Sequence, residues 1–266
     1  MSQHERNDEI VESVDQMIRM WSIFAGRFPD AKVEALPGIT VTLSGTPMVF
    51  VNLIHLSSPV RDRDDLTERC RMAIAYGKAS GAPWLFSACD PWLGDPEVAE
   101  EVLSGLGLTR QLGTKGMVTD TLLPPQRSLP AELEIRRVND EETRYALSDL
   151  NMLSYGMPIP LGRDAIGRSS YWHDSFYAYV GFVNGEPVSC TLTSPVDGRL
   201  YVAWVATHPD HRRKGYGDAV MRRSLEEARA ATGLRRTVLH ATDMGYPVYE
   251  AMGYHSVVGF SWYALG

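Results

Sequence analysis

The chain has few cysteines, no long apolar run and no excess of positive charge, and each shortage removes a class of function. Its three cysteines, Cys70, Cys89 and Cys190, are odd in number and widely scattered. They offer neither a disulfide framework nor the paired spacing of thiolate metal sites, and read as reduced, mostly buried small apolar residues. No stretch approaches the roughly 18 consecutive apolar residues that span a bilayer. The first residues, Met-Ser-Gln-His-Glu-Arg-Asn-Asp-Glu, are polar rather than signal-like, so a cytoplasmic protein with no membrane partner is expected. A formal net charge of −7 makes the chain a poor general binder of phosphate backbones, and no nucleic acid partner is expected. Most of the acid excess lies in the first 125 residues, which carry 17 Asp and Glu against 11 Lys and Arg.

What is present is enough apolar content, 44% of 266 residues, for one large or two smaller cores. Residues 122–130 hold three prolines and read as a linker between domains at 1–125 and 126–266. Beyond it the pattern predicts a strand over 133–138, a helix over 141–153 capped by Asn139 or Asp140, and a shorter helix over 162–172. A hairpin over 176–182 and 188–194 turns at Asn184-Gly185, a pair that supplies positive φ, and Asp197-Gly198 leads into a strand over 200–206. A helix, a strand ending near Thr242, a short helix and a last strand over 257–264 complete a mixed α/β pattern.

The densest information lies in Val205-Ala206-Thr207-His208-Pro209-Asp210-His211-Arg212-Arg213-Lys214-Gly215-Tyr216-Gly217. An apolar strand ends there, and Met221, Leu225 and Ala228 then recur at helical spacing. Backbone N–H groups at such a helix start have no partner within the helix, and Gly215 and Gly217 let phosphate oxygens approach without a Cβ in the way. Arg212, Arg213 and Lys214 add local positive charge. His208 and His211 frame the loop, but the adjacent arginines would repel a metal, so a solvated turn is the expected reading and no metal is assigned.

Arg212 to Gly217 matches a signature (Arg or Gln, two residues of any kind, Gly, any residue, Gly or Ala) and so resembles the GNAT superfamily of acetyl-CoA-dependent N-acetyltransferases. A second block follows in order: Leu239-His240-Ala241-Thr242 ends a strand, and Gly245-Tyr246-Pro247-Val248-Tyr249-Glu250-Ala251-Met252-Gly253-Tyr254 resembles the family's short helix, with a tyrosine four residues before a Gly-Tyr pair. The similarity covers roughly residues 130–266. It implies a GNAT-like acyl-CoA N-acyltransferase fold with acetyl-CoA as cosubstrate. It also implies a pyrophosphate held largely by main-chain N–H groups of Arg212, Arg213, Lys214, Gly215, Tyr216, Gly217 and Asp218. By the same resemblance Val205, Ala206 and Thr207 pair with the pantetheine arm, and Tyr249 is the general acid that protonates the departing thiolate.

The base stays open. Tyr201 to Val205 contains no acid, whereas His240 could deprotonate an amine directly or through water. A lone histidine on a strand reads equally well as a packing residue. His173 and Asp174 form another candidate pair, and an amine of near-neutral pKa needs only a water chain. Tyr155, Tyr171 and Trp172 cluster where the family builds its acceptor pocket, though aromatics there also pack helix to sheet. The acceptor is an amine of a small molecule or peptide, and neither its identity nor the acyl length is written in the sequence. A homodimer is compatible with it. The competing reading is a non-catalytic acyl-CoA-binding regulatory module in which Tyr249 is structural.

The family ends with two strands after its last helix, and only one fits here, so another segment is expected to fill the gap. The first half suggests which. Residues 48–54 resemble the strand at 200–206, 66–78 its helix, 83–88 the next strand, and 97–108 the final helix with its glycine. Two tandem copies are therefore expected, the N-terminal one shortened, with chance similarity of βαβ units as the alternative. The first copy carries Val60-Arg61-Asp62-Arg63-Asp64-Asp65 in place of the glycine loop and Leu103 in place of the tyrosine. Only 126–266 should hold cofactor.

Overall fold

The structure is a computed structural model and describes residues 3–266. In chain order its elements are α1 (Gln3–Ala25), β1 (Lys32–Leu36), β2 (Ile39–Leu43), β3 (Asn52–Leu56), α2 (Arg63–Ser80), β4 (Leu85–Cys89), α3 (Pro96–Gly105) and β5 (Leu108–Thr119). They continue with β6 (Glu134–Arg137), α4 (Glu141–Ser154), α5 (Ile159–Asp164), β7 (Tyr177–Val183), β8 (Glu186–Val196) and β9 (Arg199–Thr207). The last are α6 (Tyr216–Thr232), β10 (Thr237–Ala241), α7 (Tyr246–Ala251) and β11 (His255–Leu265). This is a mixed α/β fold of the GNAT kind that the motifs imply.

The chain forms two compact units that interleave in sequence. The first runs through Met117 and takes back His240–Tyr246 and Ser256–Gly266, and the second comprises Val118–Leu239 and Pro247–His255. Within the first unit the strands lie in the order β1-β2-β3-β4-β11-β5. β1 with β2, β2 with β3 and β4 with β11 pair antiparallel, and β3 runs parallel to β4. Strand β11 sits between β4 and β5, and Trp262 Nε1 donates to Thr114 Oγ1 of β5 at 3.1 Å. The first half thus supplies the neighbours of the single C-terminal strand. Helix α1 covers this unit with Val14, Met17, Met20, Trp21 and Phe24, an i, i+3, i+4, i+7 stripe buried to 9% exposure or less.

Two boundaries differ from expectation. The strand expected from residue 48 begins at Asn52, after a 3-10 turn at Val49–Val51. The buried Asn52 amide enforces that turn, accepting from Ser44 N–H at 2.8 Å and donating to the carbonyls of Thr46 at 2.7 Å and Met48 at 3.1 Å. The helix expected over 162–172 is only α5 plus a 3-10 turn at Ser169–Tyr171. The Gly162 carbonyl accepts from both Ala165 and Gly167, which closes the turn at once and ends the helix.

Within the second unit the order is β10-β9-β8-β7-β6, with β10 parallel to β9 and the rest antiparallel. The predicted turns hold: Asn184 and Gly185 have φ of 53° and 83°, Asp197 and Gly198 44° and 73°. Asp140, not Asn139, caps α4, its side chain accepting from Thr143 N–H at 2.9 Å in a capping box. Leu133, Tyr179, Val188, Tyr216 and Val220 form a buried cluster that fixes the first turn of α6 against the sheet.

Candidate functional site

The site begins where β9 stops behaving as a regular strand. Its pairing with β8 jumps from Leu192↔Ala203 to Cys190↔Ala206, so β9 carries one extra residue. Trp204 absorbs the bulge with φ of 50°, an uncommon conformation for so large a side chain. The parallel ladder with β10 ends at Leu239↔Val202, while β9 itself continues to Thr207. Past the bulge β9 runs on to Thr207, and the edge of Val205–Thr207 turned away from β8 suits a ligand with alternating donors and acceptors. Val205, Ala206 and Thr207 lie on this edge.

The bulge is held from three sides. Asn151 Nδ2 lies 3.3 Å from the Trp204 carbonyl, Cys190 Sγ approaches the same oxygen at 3.3 Å, and the Trp204 indole donates to the Tyr171 hydroxyl at 2.9 Å.

After Thr207 the chain makes a 3-10 turn at Pro209–His211 and enters α6 through two left-handed residues, Arg213 at 62° and Gly215 at 87°. No side chain caps α6, and its first helical bond runs from Ala219 N–H to the Gly215 carbonyl at 3.1 Å. The amides of Tyr216, Gly217 and Asp218 precede that bond, the position at which a helix start accepts an anion. A Cβ built on Gly217 would stand 3.1 Å from Thr207 Oγ1, so glycine lets the helix sit close to the strand end. Arg212 Nε donates to the Thr207 carbonyl at 3.3 Å and Arg127 Nη1 to the Arg213 carbonyl at 2.8 Å, which fixes the loop. The Tyr216 ring is core and its hydroxyl donates to Glu132 at 2.7 Å, so its main chain, not its phenol, faces the loop. Asp218 pairs with Arg222 at 2.8 Å, while Arg213 and Lys214 are exposed. This donor set fits a diphosphate.

Tyr249 is 8% exposed, its ring edge-on to Tyr254 at 6.0 Å between centroids. Burial, with Tyr155, Tyr254 and Cys190 as electrostatic neighbours, pushes its phenol well above the usual tyrosine value. Tyr155 and Tyr249, chosen separately from the sequence, are thus within interaction range. Tyr171 is fully buried, and Trp172 donates to the Ile166 carbonyl at 2.9 Å and packs edge-on to Phe176. His173 Nδ1 meets Ser175 Oγ at 2.8 Å in an exposed turn. His240 belongs to the first unit, 3.1 Å from Ser13 Oγ and edge-on to Phe260 at 4.7 Å, and burial lowers its pKa to about 3.

Residues 144–254 match the acetyltransferase (GNAT) family. The chain carries a GNAT acetyltransferase domain. Solved structures with the same fold include a GCN5-related N-acetyltransferase from Kribbella flavida, 18% identical with a TM-score of 0.68 over 93% of this chain and 94% of that one. Another is a functionally unknown conserved protein from Staphylococcus epidermidis, 14% identical with a TM-score of 0.63 over 90% and 96%. A tandem GNAT protein from the clavulanic acid biosynthesis pathway is 14% identical with a TM-score of 0.54 over 96% and 95%. No curated protein matches the chain.

The GNAT match covers the bulged strand, the glycine loop and Tyr249 together. Sequence reasoning missed Asn151 and Cys190 as supports of the bulge, and Arg127 and Glu132 as supports of the loop, because all four act across the fold on residues distant in the chain. Among the described residues no group of three or more His, Cys, Asp or Glu could hold a metal, and no helix is long and apolar enough to cross a membrane.

Proposed function

We propose that the protein is an N-acetyltransferase that moves an acetyl group from acetyl-CoA to an amine of a small molecule or peptide in the cytoplasm. The observation that carries this reading is the bulged end of β9, Val205–Thr207, leading directly into the uncapped start of α6. The amides of 216–218, with Arg212, Arg213 and Lys214, would hold the diphosphate, and Val205–Thr207 would pair with the pantetheine arm. When bound, acetyl-CoA supplies an activated thioester. An amide of this β9 edge donates to the thioester oxygen as negative charge builds there. The neutral amine nitrogen bonds to the carbonyl carbon, the carbon–sulfur bond breaks, Tyr249 gives its proton to the leaving sulfur, and the proton shed by the nitrogen passes through water to restore the phenol.

The first half is proposed as a degenerate tandem copy without cofactor. Its β3-α2-β4-α3-β5 order repeats β9-α6-β10-α7-β11, and β3 and β4 run parallel as β10 and β9 do. The burial of Tyr249 among uncharged neighbours favours one second reading, an acyl-CoA-binding regulatory module without turnover. Incubation with acetyl-CoA and a broad amine panel, read as release of free thiol, separates the two. Turnover with any amine supports the enzyme, and tight coenzyme A binding with no turnover across the panel supports the module.

A further inference from the structure

Asn151 is a buried amide, 1% exposed, on α4. Burying an amide is unfavourable unless it is hydrogen-bonded, and an apolar residue would fill the same space. Its Nδ2 donates to the Leu147 carbonyl of its own helix at 2.9 Å and reaches the Trp204 carbonyl at 3.3 Å and Cys190 Sγ at 3.4 Å. Cys190, 1% exposed on β8, approaches that carbonyl beside the Asn151 amide at 3.3 Å. Burial raises the thiol to about 12, so it keeps its proton and remains a donor. Trp204 occupies a left-handed conformation that its side chain disfavours, and its carbonyl has left the ladder. A carbonyl so displaced needs donors where it points.

We propose that Asn151 is a positioning residue: by holding the Trp204 carbonyl, with Cys190 as second donor, it fixes the bulge that presents Val205–Thr207 to the pantetheine arm. This rests on the acetyl-CoA reading above. Asn151 touches neither cosubstrate nor acceptor, and acts through the backbone of β9.

Calorimetric titration of the full chain with coenzyme A and with ADP tests it, because ADP shares the diphosphate but lacks the arm. Asn151→Leu is expected to weaken coenzyme A about ten-fold, the scale of losing a donor at a buried carbonyl, and to leave ADP within about two-fold. Cys190→Ala, which keeps the Asn151 amide in place, is expected to shift the same ratio in the same direction by a smaller factor. Equal loss of both ligands in Asn151→Leu, or no loss of either, overturns the proposal. Should Asn151→Leu not fold, an unchanged coenzyme A to ADP ratio in Cys190→Ala overturns it. Wild-type protein that binds no coenzyme A overturns the acetyl-CoA reading and this inference with it, whereas an unaltered ratio in a protein that binds overturns the inference alone.

Discussion

The indole N–H of Trp204 donates to the hydroxyl of Tyr171 at 2.9 Å, which ties the irregular part of β9 to the turn after α5. Tyr171 is fully buried, so its hydroxyl has a structural use whatever the acceptor is. Tyr171→Phe removes this acceptor from a part-buried donor and is expected to lower stability by about 1–2 kcal/mol. A urea titration followed by tryptophan fluorescence reads this as a lower midpoint with an unchanged slope.

Tyr249→Phe separates chemistry from binding. Loss of a general acid is expected to reduce kcat about 100-fold, with the Kd for acetyl-CoA altered less than about two-fold. Because burial raises the phenol above its usual value near 10, it stays protonated through neutral and mildly basic pH. The rate should therefore show no fall from this group as pH rises to about 9. A variant that loses affinity in step with rate would place Tyr249 in the scaffold.

The glycine loop makes its own prediction. At φ of 87°, Gly215→Ala strains the entry to α6 and is expected to cost about 1 kcal/mol of stability. Gly217→Val crowds Thr207 Oγ1 and pushes the helix start from the strand end, so coenzyme A affinity should fall about ten-fold or more. Thermal denaturation checks the first and titration calorimetry the second.

Two histidines make the fold acid-sensitive. His55 and His240, both in the first unit, have pKa values lowered to about 3 by burial, against 6.5 for the free side chain. Between those values the unfolded chain binds protons that the folded chain does not, so stability is fully present above pH 6.5 and falls as pH drops toward 3. The slope approaches about 1.4 kcal/mol per pH unit per histidine. Urea midpoints measured from pH 7 to 4 should decline, and His55→Gln should flatten the decline. Identical slopes in wild type and variant would refute the assignment.

Much of the second unit was legible because its signals are local. Asn184-Gly185, Asp197-Gly198 and Asp140 each act within a few residues and form the turns and the cap their chemistry implies, and the loop from Arg212 to Gly217 leads into a helix start as its glycines and the helical spacing beyond them suggest. Helix α1 was legible in principle, since its Val14, Met17, Trp21 and Phe24 stripe has helical period, but its charged faces masked it. Strand β5 was not, because Leu108–Thr119 mixes two glycines, charges and small residues, and owes its conformation to neighbours such as Trp262. Likewise nothing near Trp204 announces a positive φ. Its donors, Asn151 and Cys190, come from two other elements, and only the fold brings them to one carbonyl.

The return of Ser256–Gly266 to the first unit bears on synthesis. Strand β4 takes Phe260 to Tyr263 as its antiparallel partners, so residues 86–89 must wait for residues 260–263 before one side of them is covered. On a ribosome the early half therefore emerges with an unpaired strand edge, and sealing it falls to a segment made much later. Cutting the gene at codon 125 would leave that edge bare in the first product and strand the orphaned C-terminal segment in the second.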